Sequence, residues 1–290
     1  MTRFIDVHVH PPVSAFLDGP FAPFRQQLET HFGRPLPTMT GDELATYYRE
    51  RDGRAVLLGW DAQTATRRPP FSNVDVAALV GANPDVFLGF GSVDPFKGSA
   101  ALATVHEAAR LGLLGLKLHP PAQGFIPSER RFFPVWEAAQ GHGLILLFHT
   151  GTTGLGAGVP GGSGIRLGHA NPMYLDDVAA EFPRLTIIMA HPSWPWQDEA
   201  LAVARHKTNV FLELSGWSPR LFAPELVAAV RGPLADRTLF GSDYPFITPD
   251  KWLSDWESLD MPESVTRAVL HDNAARLLGL DDSAVSLNGE

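Results

Sequence analysis

Leu144-Ile145-Leu146-Leu147-Phe148-His149-Thr150 is the stretch that decides the fold. Its apolar residues run unbroken from Leu144 to Phe148. A strand with one face in water alternates apolar and polar side chains, whereas a continuous run suits a parallel strand covered on both faces by helices. The same kind of run recurs at Phe4–His10, Arg54–Trp60, Asp85–Asp94, Leu113–His119, Leu185–His191, Val210–Gly216 and Thr238–Asp243. Helix signals lie between the runs. Thr40 with Glu43 and Ser72 with Asp75 fit capping boxes, Ala100–Leu111 carries an apolar stripe that stops at Gly112, and Asn171-Pro172 opens Met173–Phe182. Pro224–Arg231 and Glu263–Leu278 supply the late helices.

Eight such units in 290 residues close most naturally into a (β/α)8 barrel, an α/β architecture of about 250 residues that forms one domain. A doubly wound open sheet is the alternative. The reading is a single domain over 1–290, with a helical insertion after the first strand. Residues 11–53 are too long for a simple connection and are expected to form an inserted cap. The glycine-rich stretch 151–170 is expected to be a lid loop. It contains a GxGxxG match from Gly156 to Gly161, but Pro160 and further glycines stand where a helix should start, so dinucleotide binding lacks its structural context.

Composition narrows the function. With 23 Lys and Arg against 32 Asp and Glu the formal net charge is −9, which argues against a nucleic-acid partner. The absence of cysteine excludes disulfides, thiolate metal sites and cysteine nucleophiles. Met1–Val7 lacks the apolar core of a leader peptide, and no run reaches the ~18 residues of a membrane span. A soluble cytoplasmic protein with no membrane partner is the expectation.

Histidines then carry the chemistry. His8 and His10 lie two apart on one strand, so their side chains share a face, and inside a barrel two imidazoles there can grip one ion. His149, His191 and Asp243 close the fifth, sixth and eighth strands, and a barrel gathers such C-terminal ends at one mouth. A single strand-end histidine is an ordinary structural group. Several converging with a carboxylate are costly to bury unless they serve a metal. Lys117 and His119 share a face of the fourth strand and point to substrate contact or support of the site, and an ion pair closing a barrel layer is the plainer role for Lys117. Trp60, Trp194 and Trp217 follow predicted strands at the same end and suggest an aromatic-lined pocket. Arg166 falls in a neighbouring loop, where it could receive an anionic group.

The HxH strand, His149, Ala190-His191-Pro192 and Gly241-Ser242-Asp243-Tyr244-Pro245 together resemble the amidohydrolase superfamily, specifically the aminocarboxymuconate-semialdehyde-decarboxylase-like amidohydrolase family 2. That resemblance spans nearly the whole chain. It implies that His8, His10, His149 and Asp243 hold one divalent metal, while His191 is a catalytic histidine outside the ligand set. Imidazoles with a carboxylate suit zinc first, then manganese, iron or cobalt. In dinuclear relatives a strand-four lysine is carbamylated and bridges two metals, but this branch favours a mononuclear site. The phrase Gly115-Leu116-Lys117-Leu118-His119-Pro120-Pro121 is similar to one in 4-hydroxyphenyl-β-ketoacyl-CoA hydrolases.

The leading expectation is a metal-dependent hydrolase of a small aromatic or conjugated carbonyl compound, in which Asp243 and His191 assist attack by water. A non-oxidative decarboxylase of an aromatic or unsaturated acid is the alternative. The resemblance also implies a homo-oligomer, a dimer or larger.

Overall fold

The computed structural model describes residues 3–280; residues 1–2 and 281–290, part of the single domain expected from sequence, lie outside the described residues. The strands are β1 (Phe4–Val9), β2 (Gly53–Leu58), β3 (Phe87–Ser92), β4 (Gly115–Leu118), β5 (Ile145–His149), β6 (Ile187–Ala190), β7 (Val210–Glu213) and β8 (Thr238–Leu239). Before β2 come α1 (Ser14–Leu17), α2 (Ala22–Phe32) and α3 (Gly41–Arg49), and before β3 come α4 (Gln63–Thr66) and α5 (Asn73–Ala82). α6 (Ser99–Arg110) precedes β4, while α7 (Pro120–Gln123) and α8 (Phe133–Gly141) precede β5. α9 (Met173–Glu181), α10 (Gln197–His206) and α11 (Pro224–Arg231) lead to β6, β7 and β8. α12 (Pro249–Glu257), α13 (Glu263–Arg267) and α14 (Asn273–Leu277) follow β8.

All neighbouring strands pair in parallel, in chain order from β1 to β8. Backbone bonds then join the last strand to the first: Val7 N–H donates to the Phe240 carbonyl at 3.1 Å, Asp243 N–H to His8 at 3.0 Å and His10 N–H to Tyr244 at 2.8 Å. The fold is a (β/α)8 barrel with a helical insertion after β1. β8 itself is short, and it borrows a carbonyl from outside the sheet. A widened helical turn at Ala268–Asp272 leaves the Val269 carbonyl free to accept the Phe240 N–H at 2.9 Å.

Two apolar layers hold the barrel. Val56, Leu58, Phe90, Ile145, Leu147 and Ile188 pack inside, over Ala274 and Ala275 of α14. Ala55, Leu57, Leu146, Phe148, Ile187 and Met189 alternate with them and face the helices.

Both expected capping boxes form: Thr40 and Glu43 bond reciprocally at the start of α3, as do Ser72 and Asp75 at α5. α8 and α10, which carry no such signal, begin after Phe132 and Trp196, and neither side chain caps. The expected cap of 11–53 is narrower in the structure. α3 buries Leu44, Ala45 and Tyr48 against the barrel and packs on β2, so it is the ordinary crossover helix, and only the segment carrying α1 and α2 is inserted.

Tyr48 also ties this helix to the strand closure. Its hydroxyl donates to Asp6 at 2.8 Å, and Asp6 accepts the Ser242 N–H at 2.9 Å. Burial pushes the Asp6 carboxyl up from 3.8 to about 6, even with these hydrogen bonds working to lower it. The folded state therefore holds the proton more tightly than the unfolded chain, and this group's contribution to stability falls as pH climbs from about 4 through 6. Asp6→Asn should remove about 3 kcal/mol of pH dependence over that window. Urea unfolding of chelator-treated protein at pH 4 and pH 7 measures it, and a variant whose stability changes with pH as the wild type's does would refute the assignment.

Candidate active site

Strict alternation would not bring all the histidines inside. On β1, Ile5 and Val7 belong to the barrel interior while Phe4 and Val9 face the helices. The pairing with β2 slips by one residue between Asp6 and Val9. That bulge turns His8 to the same side as Val7, and His10 follows it inward. On β6, Ile188 and Ala190 point inward, so the next residue should point out. His191 adopts φ 81° instead, and Asp243 has φ 66°. Both are left-handed conformations that non-glycine residues rarely hold, and here they sit where two side chains are aimed into the barrel.

The result is a buried polar floor. His8 Nε2 and His10 Nε2 each lie 3.4 Å from Asp243 Oδ1. His8 Nδ1 meets Glu213 Oε2 at 2.8 Å, and Lys117 Nζ approaches His8 Nε2 at 2.9 Å. His149 Nδ1 faces His191 Nε2 at 2.9 Å, His149 Nε2 faces the Thr152 carbonyl at 3.1 Å, and His191 Nδ1 faces the Ser215 carbonyl at 3.0 Å. These three contacts ask for three ring protons, one more than two neutral imidazoles carry. Burial opposes that extra charge, lowering His191 to about 4 and His149 well below 6.5. Burial likewise raises Glu213 to about 8 and lowers Lys117 to about 8. Asp243 differs. Burial works to raise it, yet the hydrogen bond to His10 and the charges of His191, His10 and Lys117 keep it below 3.8.

One ligand atom each from His8, His10 and Asp243 lies within 4.8 Å of the others, a set able to hold a divalent cation. The fit goes beyond proximity: the carboxylate on His8 Nδ1 is the usual outer partner of a metal-bound imidazole. His149, the fourth ligand implied by the resemblance, is placed one step away, engaged with His191 and Thr152.

Above this floor is a cavity of about 360 Å³. Phe21, Leu28 and Phe32 of the insertion form part of its wall, Phe246 stacks on Phe32 with ring centroids 5.2 Å apart, Trp60 meets Phe21 edge-on at 5.7 Å, and Trp217, Lys117 and His119 also line it. His119 accepts the Ala122 N–H on Nδ1 at 3.2 Å, which leaves Nε2–H as its donor, and Nε2 lies 3.4 Å from the Thr153 hydroxyl. The Nε1–H of buried Trp60 has no partner among the described residues. His10 stacks on Phe16 with ring centroids 5.7 Å apart, so the insertion also braces a candidate ligand.

Two expected substrate contacts fall outside. Trp194 is 57% exposed and borders a separate surface groove with Leu221. Its main chain, through the carbonyl that accepts the Thr152 N–H at 2.7 Å, is what meets the cavity loop. Arg166 sits exposed on the outer part of the 151–170 loop, where its charge stays hydrated, and it does not line the cavity. Conversely, Glu213 and Ser215 were not singled out from the sequence. The signal was present as a lone carboxylate inside the apolar run Val210-Phe211-Leu212-Glu213-Leu214.

A sequence model of the amidohydrolase family matches residues 5–280. The chain belongs to that family. A search of curated proteins finds no match. Among solved structures, the chain is similar to an uncharacterized TIM-barrel protein, Bb4693, from Bordetella bronchiseptica: 26% identity over 95% of this chain and 98% of the other, TM-score 0.79. It shares the fold of 5-carboxyvanillate decarboxylase LigW from Sphingomonas paucimobilis, with 20% identity over 96% and 99% of the chains and TM-score 0.65. It also shares the fold of a dihydroxybenzoic acid decarboxylase from Polaromonas, solved with bound manganese, with 18% identity over 99% and 100% and TM-score 0.69.

In this amidohydrolase the insertion and the glycine-rich loop are fastened to each other. Gln27 of α2 donates to the carbonyls of Gly154 and Ala157 at 3.0 and 2.7 Å and accepts the Gly156 N–H at 3.2 Å. Gln27→Ala should speed amide exchange at 154–157 about tenfold, with global stability lowered by about 1 kcal/mol or less. Hydrogen-exchange mass spectrometry reads this directly, and unchanged protection of that segment would show that the latch contributes nothing.

Proposed function

We propose that this amidohydrolase is a metal-dependent, non-oxidative decarboxylase of a small aromatic or unsaturated carboxylic acid. The observation that carries the reading is the mixed lining of the cavity. His10, Lys117, His119, His191 and Asp243 share it with Phe21, Leu28, Phe32, Trp60, Trp217 and Phe246, and the rings of Phe21, Trp60 and Phe246 lie 6.3, 6.1 and 6.0 Å from that of His10. A flat acid suits such a lining, with its carboxylate toward the polar floor and its ring against the aromatic side chains beside it. The decarboxylases of aromatic acids with this fold support the reading.

His8, His10 and Asp243, with His149 as the further ligand the family resemblance implies, would hold a divalent ion, which would supply positive charge beside the carboxylate. Lys117 adds a cationic or donor group on the same floor, and His119 Nε2–H donates to an oxygen of the substrate. The carbon–carbon bond to the carboxylate breaks, its electron pair stays on the substrate carbon, and that carbon takes a proton as carbon dioxide leaves. His191 is the donor we assign. Burial disfavours its charged form and the carboxylate of Asp243 favours it, so His191 would hold the proton only beside negative charge and would give it up readily to the carbanion.

Hydrolysis is the second reading, favoured by one observation. Asp243 stays ionised beside His10 and could take a proton from water. Carboxyl-labelled benzoic and unsaturated acids decide between the two. Labelled carbon dioxide is the expected product, and turnover of esters, amides or coenzyme A thioesters without it would establish hydrolysis instead. His191→Asn should lower kcat by about 10²–10⁴-fold. Chelation should abolish turnover, and restoration by manganese or zinc, with one ion per chain by elemental analysis, completes the test. Retained activity in the metal-free protein would overturn the metal assignment.

A further inference from the structure

We propose that Glu213, seated against Ser215 in a gap left by Gly241, is a positioning residue that holds His8 as its Nδ1–H tautomer and keeps the Nε2 lone pair turned toward His10 and Asp243. Glu213 reaches no substrate position, because it lies beneath His8, fully buried. Its carboxylate accepts three donors: His8 Nδ1–H at 2.8 Å and Ser215 Oγ–H at 2.8 Å on Oε2, and Ser215 N–H at 2.5 Å on Oε1. On the other side of the same ring, Lys117 Nζ meets His8 Nε2 at 2.9 Å. An ammonium can only donate, so Nε2 is the acceptor. Acceptor below and donor above require the same tautomer, and they are supplied by different strands, β7 and β4.

Gly241 makes room for this seat. A Cβ built there would fall 2.2 Å from Glu213 Oε1 and 2.9 Å from His8 Cβ, so any larger residue displaces the carboxylate or the histidine. The opposite proton placement would put a hydroxyl proton on Glu213, aimed at His8 Nδ1, and an Nε2–H against an uncharged Lys117. Burial pushes both groups in that direction, and the donors converging on Glu213 oppose it. The inference is independent of the reaction catalysed, since a ligating imidazole must present a lone pair in either case.

Selective ¹⁵N-histidine labelling of the chelator-treated full chain tests it first, with His8 assigned by the resonances lost in His8→Asn. A protonated Nδ1 and a bare Nε2 are expected; a proton on Nε2 overturns the proposal without any change at position 213. Glu213→Gln offers an amide donor where either His8 Nδ1–H or a Ser215 donor now finds an acceptor. With the fold intact by circular dichroism, it should weaken binding of Mn²⁺ and Zn²⁺ by about 10–100-fold and shift His8 toward the Nε2–H form. Binding within about twofold of wild type, with the tautomer unchanged, overturns the proposal. Should that variant not fold, the wild-type tautomer decides alone.

Discussion

Four imidazoles, two carboxylates and an ammonium group share the floor of one barrel, and none of them could stand there alone. Each would cost several kcal/mol to strip of water without a partner. The structure meets that cost by chaining them: Glu213 to His8, His8 to Lys117 and Asp243, Asp243 to His10, and His149 to His191. A chain of this kind fixes the ring planes and tautomers of its members, and it also makes the members interdependent. A cation placed among His8, His10 and Asp243 relieves the crowding of lone pairs that the protein alone leaves there, which is why such a floor reads as a metal site rather than as a structural network.

Bringing these groups together required the barrel to break its own alternation twice. The run Phe4–His10 placed His8 and His10 on a common face, and that relation holds. The same period put Ile5 and Val7 on the opposite face, yet both histidines and both aliphatics point inward. Only an extra residue in the β1 ladder reconciles them. A bulge leaves no mark in a pattern of residue types, so it was not legible. The positive φ of His191 is hidden in the same way. Strand ends were legible because apolar runs terminate there in histidine or aspartate, and helices were legible from the capping boxes of α3 and α5 or, as in α6, from an apolar stripe alone, whereas α12, capped by Thr248, was not. Neither were α8 and α10, which begin after Phe132 and Trp196. Trp194 shows the converse limit. Its place after β6 was read correctly, but which way a loop side chain points is decided by the chain bonding around it.

The insertion carries a second division of labour. Its helices do little for the barrel, which already has α3 as its own crossover between β1 and β2. They supply Phe16 behind His10 and Phe21, Leu28 and Phe32 to the cavity wall. Because Gln27 fastens the same element to the 151–170 loop, these parts of the cavity wall form one connected cover. Polar chemistry is thus set by the strands and part of the apolar shape by the additions to them, with Phe16 against His10 as the point where the two meet.

That separation explains why ligand motifs could not distinguish hydrolysis from decarboxylation. The floor described by His8, His10, His191 and Asp243 suits both, since both need a cation and a proton carrier. What differs is water. Hydrolysis requires a water molecule held against the substrate, whereas loss of carbon dioxide leaves an electron pair that must meet a chosen proton. The residues that line the space beside the floor come from different elements, Phe21 and Phe32 from the insertion and Trp60 and Phe246 from the segments after β2 and β8, distant from one another in the chain. Read singly in the sequence, Phe21, Phe32 and Phe246 are ordinary core aromatics, and Trp60 alone stands out by its place after a predicted strand. Assembled around one cavity, they form the largely apolar wall on which the proposal of a flat acid rests.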